Sequence, residues 1–209
     1  AGAPLWTHEG GVKSWYGGGL VRRSGDAATI VALREVTNTQ THEVRVFAID
    51  DAGEVQWTKL HGDPLTQYYV QRLAAGPDGQ MVVCGSLTRT AAEDTLLLGL
   101  SAKGDELWKT RIPVPGPGHD ACGGVVITQD GGVAFAGSGY TAEAAYEMWV
   151  GKLDAGGTQV WANAYGSMGK VNDFASDLVE LASGELVVGG NLYDKASKGR
   201  IRTLLWLTP

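Results

Sequence analysis

The chain has 209 residues, a formal net charge of −6, and 44% hydrophobic against 19% charged residues. This supplies one sizeable core or two small ones and is too apolar for a disordered chain. An acidic balance with no Lys/Arg cluster argues against nucleic acid, and no apolar run approaches the ~18 residues that a membrane-spanning helix needs.

Thirty-one glycines against seven prolines fit an all-β fold rich in tight turns. The chain opens at Ala1 without a methionine, as either a processed secreted protein or an excised segment would. Cys84 and Cys122 are too few for a disulfide scaffold and read as buried free thiols in preference to a single bridge.

Read in chain order, the same elements return four times. "YGGGLV" at 16 is followed by a turn near "SGD", then "ATIVAL", "EVRVFAID" and a run ending at Trp57. "YVQRLA" at 69 leads through "PDG", "QMVVCG" and "TLLLGLSA" to Trp108. "ACGGVV" at 121 leads through "QDG", "GVAFAG" and "MWVGKLDA" to Trp161. "FASDLV" at 174 leads through "ASG" and "ELVVGG" to "RTLLWLTP", where the chain ends. Trp6, Trp57, Trp108 and Trp161 lie 51, 51 and 53 residues apart. Short β-branched and aromatic runs bounded by Gly and Asp turns read as strands, and no stretch sustains a helical period. Four antiparallel strands per period of about 50 residues predict a β-propeller blade, with strands a, b, c and d and the tryptophan on d. The repeats fall at 7–57, 58–108, 109–161 and 162–209, the last completed by residues 1–6. The opening "AGAPLW" reads as the strand d that the fourth copy lacks, so the N-terminal strand is expected to close a single domain over 1–209.

The pattern "DGG…AG…W-V-x-K-LDAxG-x-x-W-x-x-x-YG" resembles a tandem repeat of bacterial secreted and surface proteins that forms β-propellers, and copy 3 matches it best. Its "LDAxGxxxW" portion is also similar to the tryptophan-docking repeat of quinoprotein dehydrogenase propellers. Both likenesses imply blades, with an extracellular, cell-surface or periplasmic setting, and neither implies an activity.

Four repeats fit a monomeric four-bladed ring or a two-fold dimer of eight blades. Strand a reads Gly18, Gln71, Gly123, Ser176 and then Gly19, Arg72, Gly124, Asp177 across the copies. In a four-bladed ring Arg72 faces Asp177 across the axis, with Gly19 and Gly124 leaving room between them. This favours the monomer.

The longer loops, d to a and b to c, gather at one face. Just before each strand a stand Trp15, Tyr68, Asp120 and Asp173, preceded by Ser14, Gln67, His119 and Asn172. Trp15, Tyr68, His119, Asp120 and Asp173 are thus candidates for holding a protein, peptide or carbohydrate ligand. No G-x-S-x-G, H-E-x-x-H or P-loop motif is present, so no catalytic residue, metal or cofactor is assigned. Asn172, Asp173 and Asp177 are oxygen donors without EF-hand spacing. Trp149 and Trp206, on strand c, read as packing residues, and the small pairs on strand b read as points where blades approach. The expected function is a non-enzymatic binding or scaffold propeller. An enzyme with a site at the axial mouth and a structural segment of a longer array are the alternatives.

Overall fold

The computed structural model of the chain describes residues 15–23, 28–36, 42–63, 66–88, 93–113, 121–141, 145–166, 172–194 and 196–208. Among them lie fifteen strands and no helix. Unit 1 comprises β1 (Trp15–Arg22), β2 (Thr29–Val36), β3 (His42–Ile49) and β4 (Val55–His61). Unit 2 comprises β5 (Gln67–Ala75), β6 (Met81–Thr88), β7 (Glu93–Leu100) and β8 (Glu106–Ile112). Unit 3 comprises β9 (Ala121–Ile127), β10 (Val133–Thr141), β11 (Ala145–Leu153) and β12 (Gln159–Tyr165). Unit 4 holds β13 (Phe174–Glu180), β14 (Leu186–Asp194) and β15 (Gly199–Leu207).

Within each unit consecutive strands pair antiparallel. One parallel pair, His42 with Gln67, links units 1 and 2 into a single hydrogen-bonded sheet. The strand runs and the hairpin order therefore stand where the repeats place them. Residues 1–6, read as the missing strand of unit 4, lie outside the described residues.

The units stack face to face in chain order. Alternation along each strand gives every sheet two apolar faces, and each internal boundary buries one core cluster. Ile30, Ala32, Val46 and Ala48 of unit 1 meet Val70, Met81, Val83 and Leu98 of unit 2. Val82, Cys84 and Leu97 of unit 2 meet Cys122, Val133, Phe135 and Leu153 of unit 3. Ala134, Ala136, Met148 and Val150 of unit 3 meet Leu178, Leu186 and Val188 of unit 4.

The cysteines correct the sequence expectation. Cys84 and Cys122 form a disulfide, with Cα atoms 6.0 Å apart and a sequence separation of 38. Cys84 lies on the face of β6 that looks toward unit 3, and Cys122 lies on the face of β9 that looks back. Their positions in the repeat differ, so only the stacking of two units reveals that they meet.

The first strands also pack in series, β1 on β5, β5 on β9 and β9 on β13. Here the glycines serve a purpose other than clearing an axis. A Cβ on Gly19 would strike the Arg72–Leu73 backbone, and one on Gly124 would strike Asp177–Leu178. They let one inner strand lie directly against the next. Between β5 and β9 side chains span the gap instead: Arg72 Nε donates to the Gly123 carbonyl at 2.7 Å, and the Cys122 N–H donates to Gln71 Oε1 at 2.6 Å. Among the described residues Arg72 and Asp177 form no ion pair, because that guanidinium is spent on the neighbouring unit.

β1 and β13 do not pack on each other as the other inner strands do. The small residues on strand b serve two purposes. A Cβ on Gly85, Gly137 or Gly190 would meet the carbonyl of Tyr69, Ala121 or Phe174 in its own sheet, where a β-bulge interrupts the first strand. One on Gly190 would also strike Met148 of unit 3, so there the small residue lets two units approach as expected.

The tryptophans of the fourth strands reach across boundaries. The Trp57 ring covers the Gly104 turn of unit 2, and the Trp108 ring covers the Gly157 turn of unit 3. These turns are shaped by a side-chain acceptor: Asp154 Oδ1 takes the N–H groups of Gly156 and Thr158, and Ser101 Oγ takes those of Lys103 and Asp105. Gly157 has φ +81°, the left-handed region that suits glycine. Trp206 departs from the expectation. Register pairs it with Val187, whereas Trp149 pairs with Gly137, so the two tryptophans occupy different positions of the repeat, and Trp206 is 58% exposed.

Two predictions follow from these boundaries. Replacing Gly157 with Ala strains the turn and drives a methyl group into the Trp108 ring, so urea denaturation should show a loss of about 2–4 kcal/mol. Gly156→Ala, where a Cβ meets nothing nearer than 3.4 Å, should stay within about 1 kcal/mol of the parent. Opening the Cys84–Cys122 bridge, or replacing both cysteines with Ala, should cost about 3–4 kcal/mol by the loop-entropy relation and lower the Tm by roughly 8–15 °C in a thermal melt.

Candidate functional site

Of the five residues expected at the axial mouth, the described structure places the side chains of Tyr68 and Asp173, and both are engaged inside the fold. Tyr68 is buried in the cluster between units 1 and 2, and its hydroxyl donates to Asp63 Oδ2 at 2.7 Å. Thr66 Oγ1 donates to Asp63 Oδ1 at 2.8 Å, so this carboxylate ties the loop before β5. Asp173 is also buried: its Oδ1 accepts the Tyr193 N–H at 2.6 Å, and its own N–H donates to the Tyr146 carbonyl at 2.8 Å. Both residues fasten a loop to a strand, so neither lines an open mouth. Trp15 begins β1, its side chain lying outside what is described, and His119 and Asp120 lie outside the described residues. Asp177 is exposed, and its Oδ1 accepts the Leu178 N–H at 2.9 Å.

At the loop-rich end between units 1 and 2 stands a cluster absent from the sequence reading. The Arg34 guanidinium sits 4.3 Å from the Tyr69 ring centre, and its Nη2 lies 3.1 Å from His42 Nε2. His42 meets the same ring edge-on at 6.0 Å, and Tyr69 Oη donates to Gln67 Oε1 at 3.1 Å. Burial, and then the Arg34 charge, lower the His42 pKa below its ordinary value. A cation on an aromatic face beside a neutral imidazole is a packing arrangement that holds the His42–Gln67 link in place.

The opposite, short-turn end carries a cleft of about 390 Å³ between units 2 and 3, lined by Pro77, Gln80, Ile127, Gln129 and Ala155 among others. Beside it Asp130 accepts hydrogen bonds from Lys152 Nζ, Thr128 Oγ1 and the Gly132 N–H, which together hold its pKa at about 2. The other carboxylates with a shifted pKa among the described residues, Asp51, Asp105 and Asp194, are also lowered, each first by a side-chain hydrogen-bond partner: Arg22, Lys59 and Ser197 respectively. None of these four has the raised pKa of a general acid. No cluster of three metal-ligating side chains occurs among the described residues.

The outer face of unit 4 carries exposed apolar side chains. Antiparallel register makes Val46, Leu97, Val150 and Leu204 equivalent, opposite Ala32, Cys84, Ala136 and Gly189. The first three are fully buried under the following unit, whereas Leu204 is 74% exposed. Val179 and Trp206 share its face and are also exposed. A cleft of about 540 Å³ opens there between Ser176, Gly189, Asn191, Arg202 and Leu204. The signal was present in the sequence as the register of "RTLLWLTP" against "MWVGKLDA", but residue type alone placed Trp206 in the interior.

No protein-family model matches the chain, and no curated protein matches it in sequence. Solved structures match it in fold. A Hadza microbial sialidase superposes with a TM-score of 0.61 at 13% identity, over 91% of this chain and 45% of its own. Synechocystis apocarotenoid oxygenase gives 0.54 at 9% identity, over 91% and 49%. A putative exo-β-1,3-galactanase from Bifidobacterium bifidum gives 0.52 at 11% identity, over 91% and 67%. The architecture is all-β and propeller-like. The chain spans about half the length of the sialidase and of the oxygenase, and at these identities the likeness carries the fold alone.

The pKa of Asp130 gives a directional prediction. Its folded value lies below the ordinary 3.8, so its contribution is complete above about pH 5 and fades as pH falls toward 2. Asp130→Asn should therefore lower stability at pH 7 by less than about 1 kcal/mol, because the carboxylate is largely exposed. In urea melts across the range, parent and variant should converge near pH 2.

Proposed function

We propose that the chain is a non-enzymatic binding or scaffold module of propeller type, from a secreted or surface protein of a bacterium, that works by surface contact. The observation that carries this reading is the 74% exposure of Leu204, at a register position buried in each of the three other units. A face with the composition of a sheet-to-sheet boundary is presented outward, and a contiguous exposed apolar patch marks an interaction site. The Cys84–Cys122 bridge supports an oxidising compartment. Tyr68 and Asp173 support the non-catalytic side, since both are consumed by internal hydrogen bonds. The four-bladed monomeric closure expected from the repeats lacks support in the inner strands, where β1 and β13 do not pack on each other.

The test is an activity panel on the purified chain with sialoside and β-galactan substrates, the classes named by two of the similar folds. No sugar release is expected. Release that tracks the protein through successive columns, and that disappears on substituting one carboxylate, would replace this reading with an enzymatic one.

A further inference from the structure

Unit 4 differs from the others at its outer edge. In units 1, 2 and 3 an antiparallel fourth strand, β4, β8 or β12, covers that edge of the third strand. Among the described residues β15 pairs with β14 alone. It presents nine residues in unbroken register, without proline or bulge, and its two arginines, Arg200 and Arg202, sit in the first half. Residues 204–207 therefore carry none of the devices that blunt an edge strand.

Beside this edge lies a groove of about 350 Å³, lined by Trp161, Asn163 and Tyr165 of β12 and by Trp206, Leu207 and Thr208. Units 1 to 3 show what such a groove receives, because each later fourth strand and its turn lie on the fourth strand before. The Trp57 ring covers the Gly104 turn, Lys59 Nζ pairs with Asp105 Oδ1 at 2.7 Å, and Thr110 Oγ1 donates to the Gly157 carbonyl at 2.5 Å. β12 holds the same place in unit 3. The groove continues an interface already formed, since Trp161, Tyr165, Leu205 and Leu207 pack on the core between units 3 and 4.

Two details fix the chemistry of what fits. Register makes Asn163 and Tyr165 equivalent to Lys59 and His61. Those two meet Asp105 and Glu106, whereas the amide and the phenol of unit 3 offer no charge to an acidic partner. Register also places Trp206 where Ala48, Gly99 and Lys152 stand opposite Trp57, Trp108 and Trp161. In unit 2 the Trp108 ring fills the space over Gly99. In unit 4 the third strand itself supplies a ring on that face, so a strand beside it needs a small residue opposite Trp206.

Resting on the contact reading above, we infer that the partner is an extended, uncharged peptide segment of another protein, added antiparallel to β15 as a fourth strand. Main-chain hydrogen bonds to the edge hold it, and alternate side chains lie on Trp161 and Tyr165.

Fluorescence anisotropy of labelled peptides tests this on the 209-residue chain. The probe is QVAANAY, the β12 sequence with alanine for its tryptophan, beside the unaltered QVWANAY. QVAANAY is expected to saturate below about 1 mM, and QVWANAY to bind about fivefold more weakly. Trp206→Ala should make the two bind alike, and circular dichroism should stay unchanged because Trp206 is already exposed. N-methylation of one alternating set of peptide amides should abolish binding, and of the other set leave it intact, since only every second amide of a strand points at one neighbour. Absence of saturable binding by QVAANAY overturns the inference, and so does binding indifferent to both methylation patterns. Equal or tighter binding of QVWANAY by the parent chain also overturns it. Binding that Leu204→Asp abolishes and methylation leaves intact overturns it too, and assigns the contact to the outer face. Sugar release is read separately, so failure here leaves the non-enzymatic reading standing.

Discussion

Face-to-face burial between consecutive sheets is the interaction on which the rest of the molecule depends. A single four-stranded sheet with two apolar faces cannot hide either in water, and a repeat of about 50 residues has no other element to cover them. The stack answers this by giving each face to a neighbour. Its consequences are visible in the smallest details: Gly19 and Gly124 lack side chains because a neighbouring backbone occupies the space, and Trp108 lies flat on a turn that must be glycine. The Cys84–Cys122 bond fastens the same boundary that Arg72 and Gln71 cross by hydrogen bonds.

That constraint also explains why Tyr68 and Asp173 turn inward. Tyr68, at the start of β5, and Asp173, just before β13, lie where two sheets converge, and each side chain fixes a loop. Tyr68 and Asp173 solve the problem with different chemistry. Tyr68 adds ring area to the core and spends its hydroxyl on Asp63, while Asp173 spends its carboxylate on the Tyr193 amide. A buried carboxylate without such a partner would carry a large desolvation cost. An exposed face such as that of Leu204 and Trp206 carries no comparable constraint from its own chain, so its chemistry is free to serve contact.

Much of the fold was legible in the sequence because period-2 alternation and turn chemistry are local signals. The runs "QMVVCG", "GVAFAG" and "ELVVGG" announce strands, and "DAGG" and "AKGD" announce their turns, without reference to any other part of the chain. Less of the site was legible. Trp206 looked like Trp149 by residue type, yet register sets it opposite Val187, on the uncovered face. Arg34, His42 and Tyr69 gave no sign of meeting, since a cation, an imidazole and a phenol from two repeats share no motif.

What the amino-acid order determined alone was the strand, the turn and the fourfold return of both, because each arises from the conformational preferences of a few adjacent residues. What only the tertiary structure decided was which faces meet: the pairing of Cys84 with Cys122, the engagement of Arg72 with Gly123 in place of Asp177, and the exposure of Leu204. These depend on how each sheet stacks on the next and on where the series stops, and stacking is set by contacts between residues tens of positions apart, which no local pattern encodes.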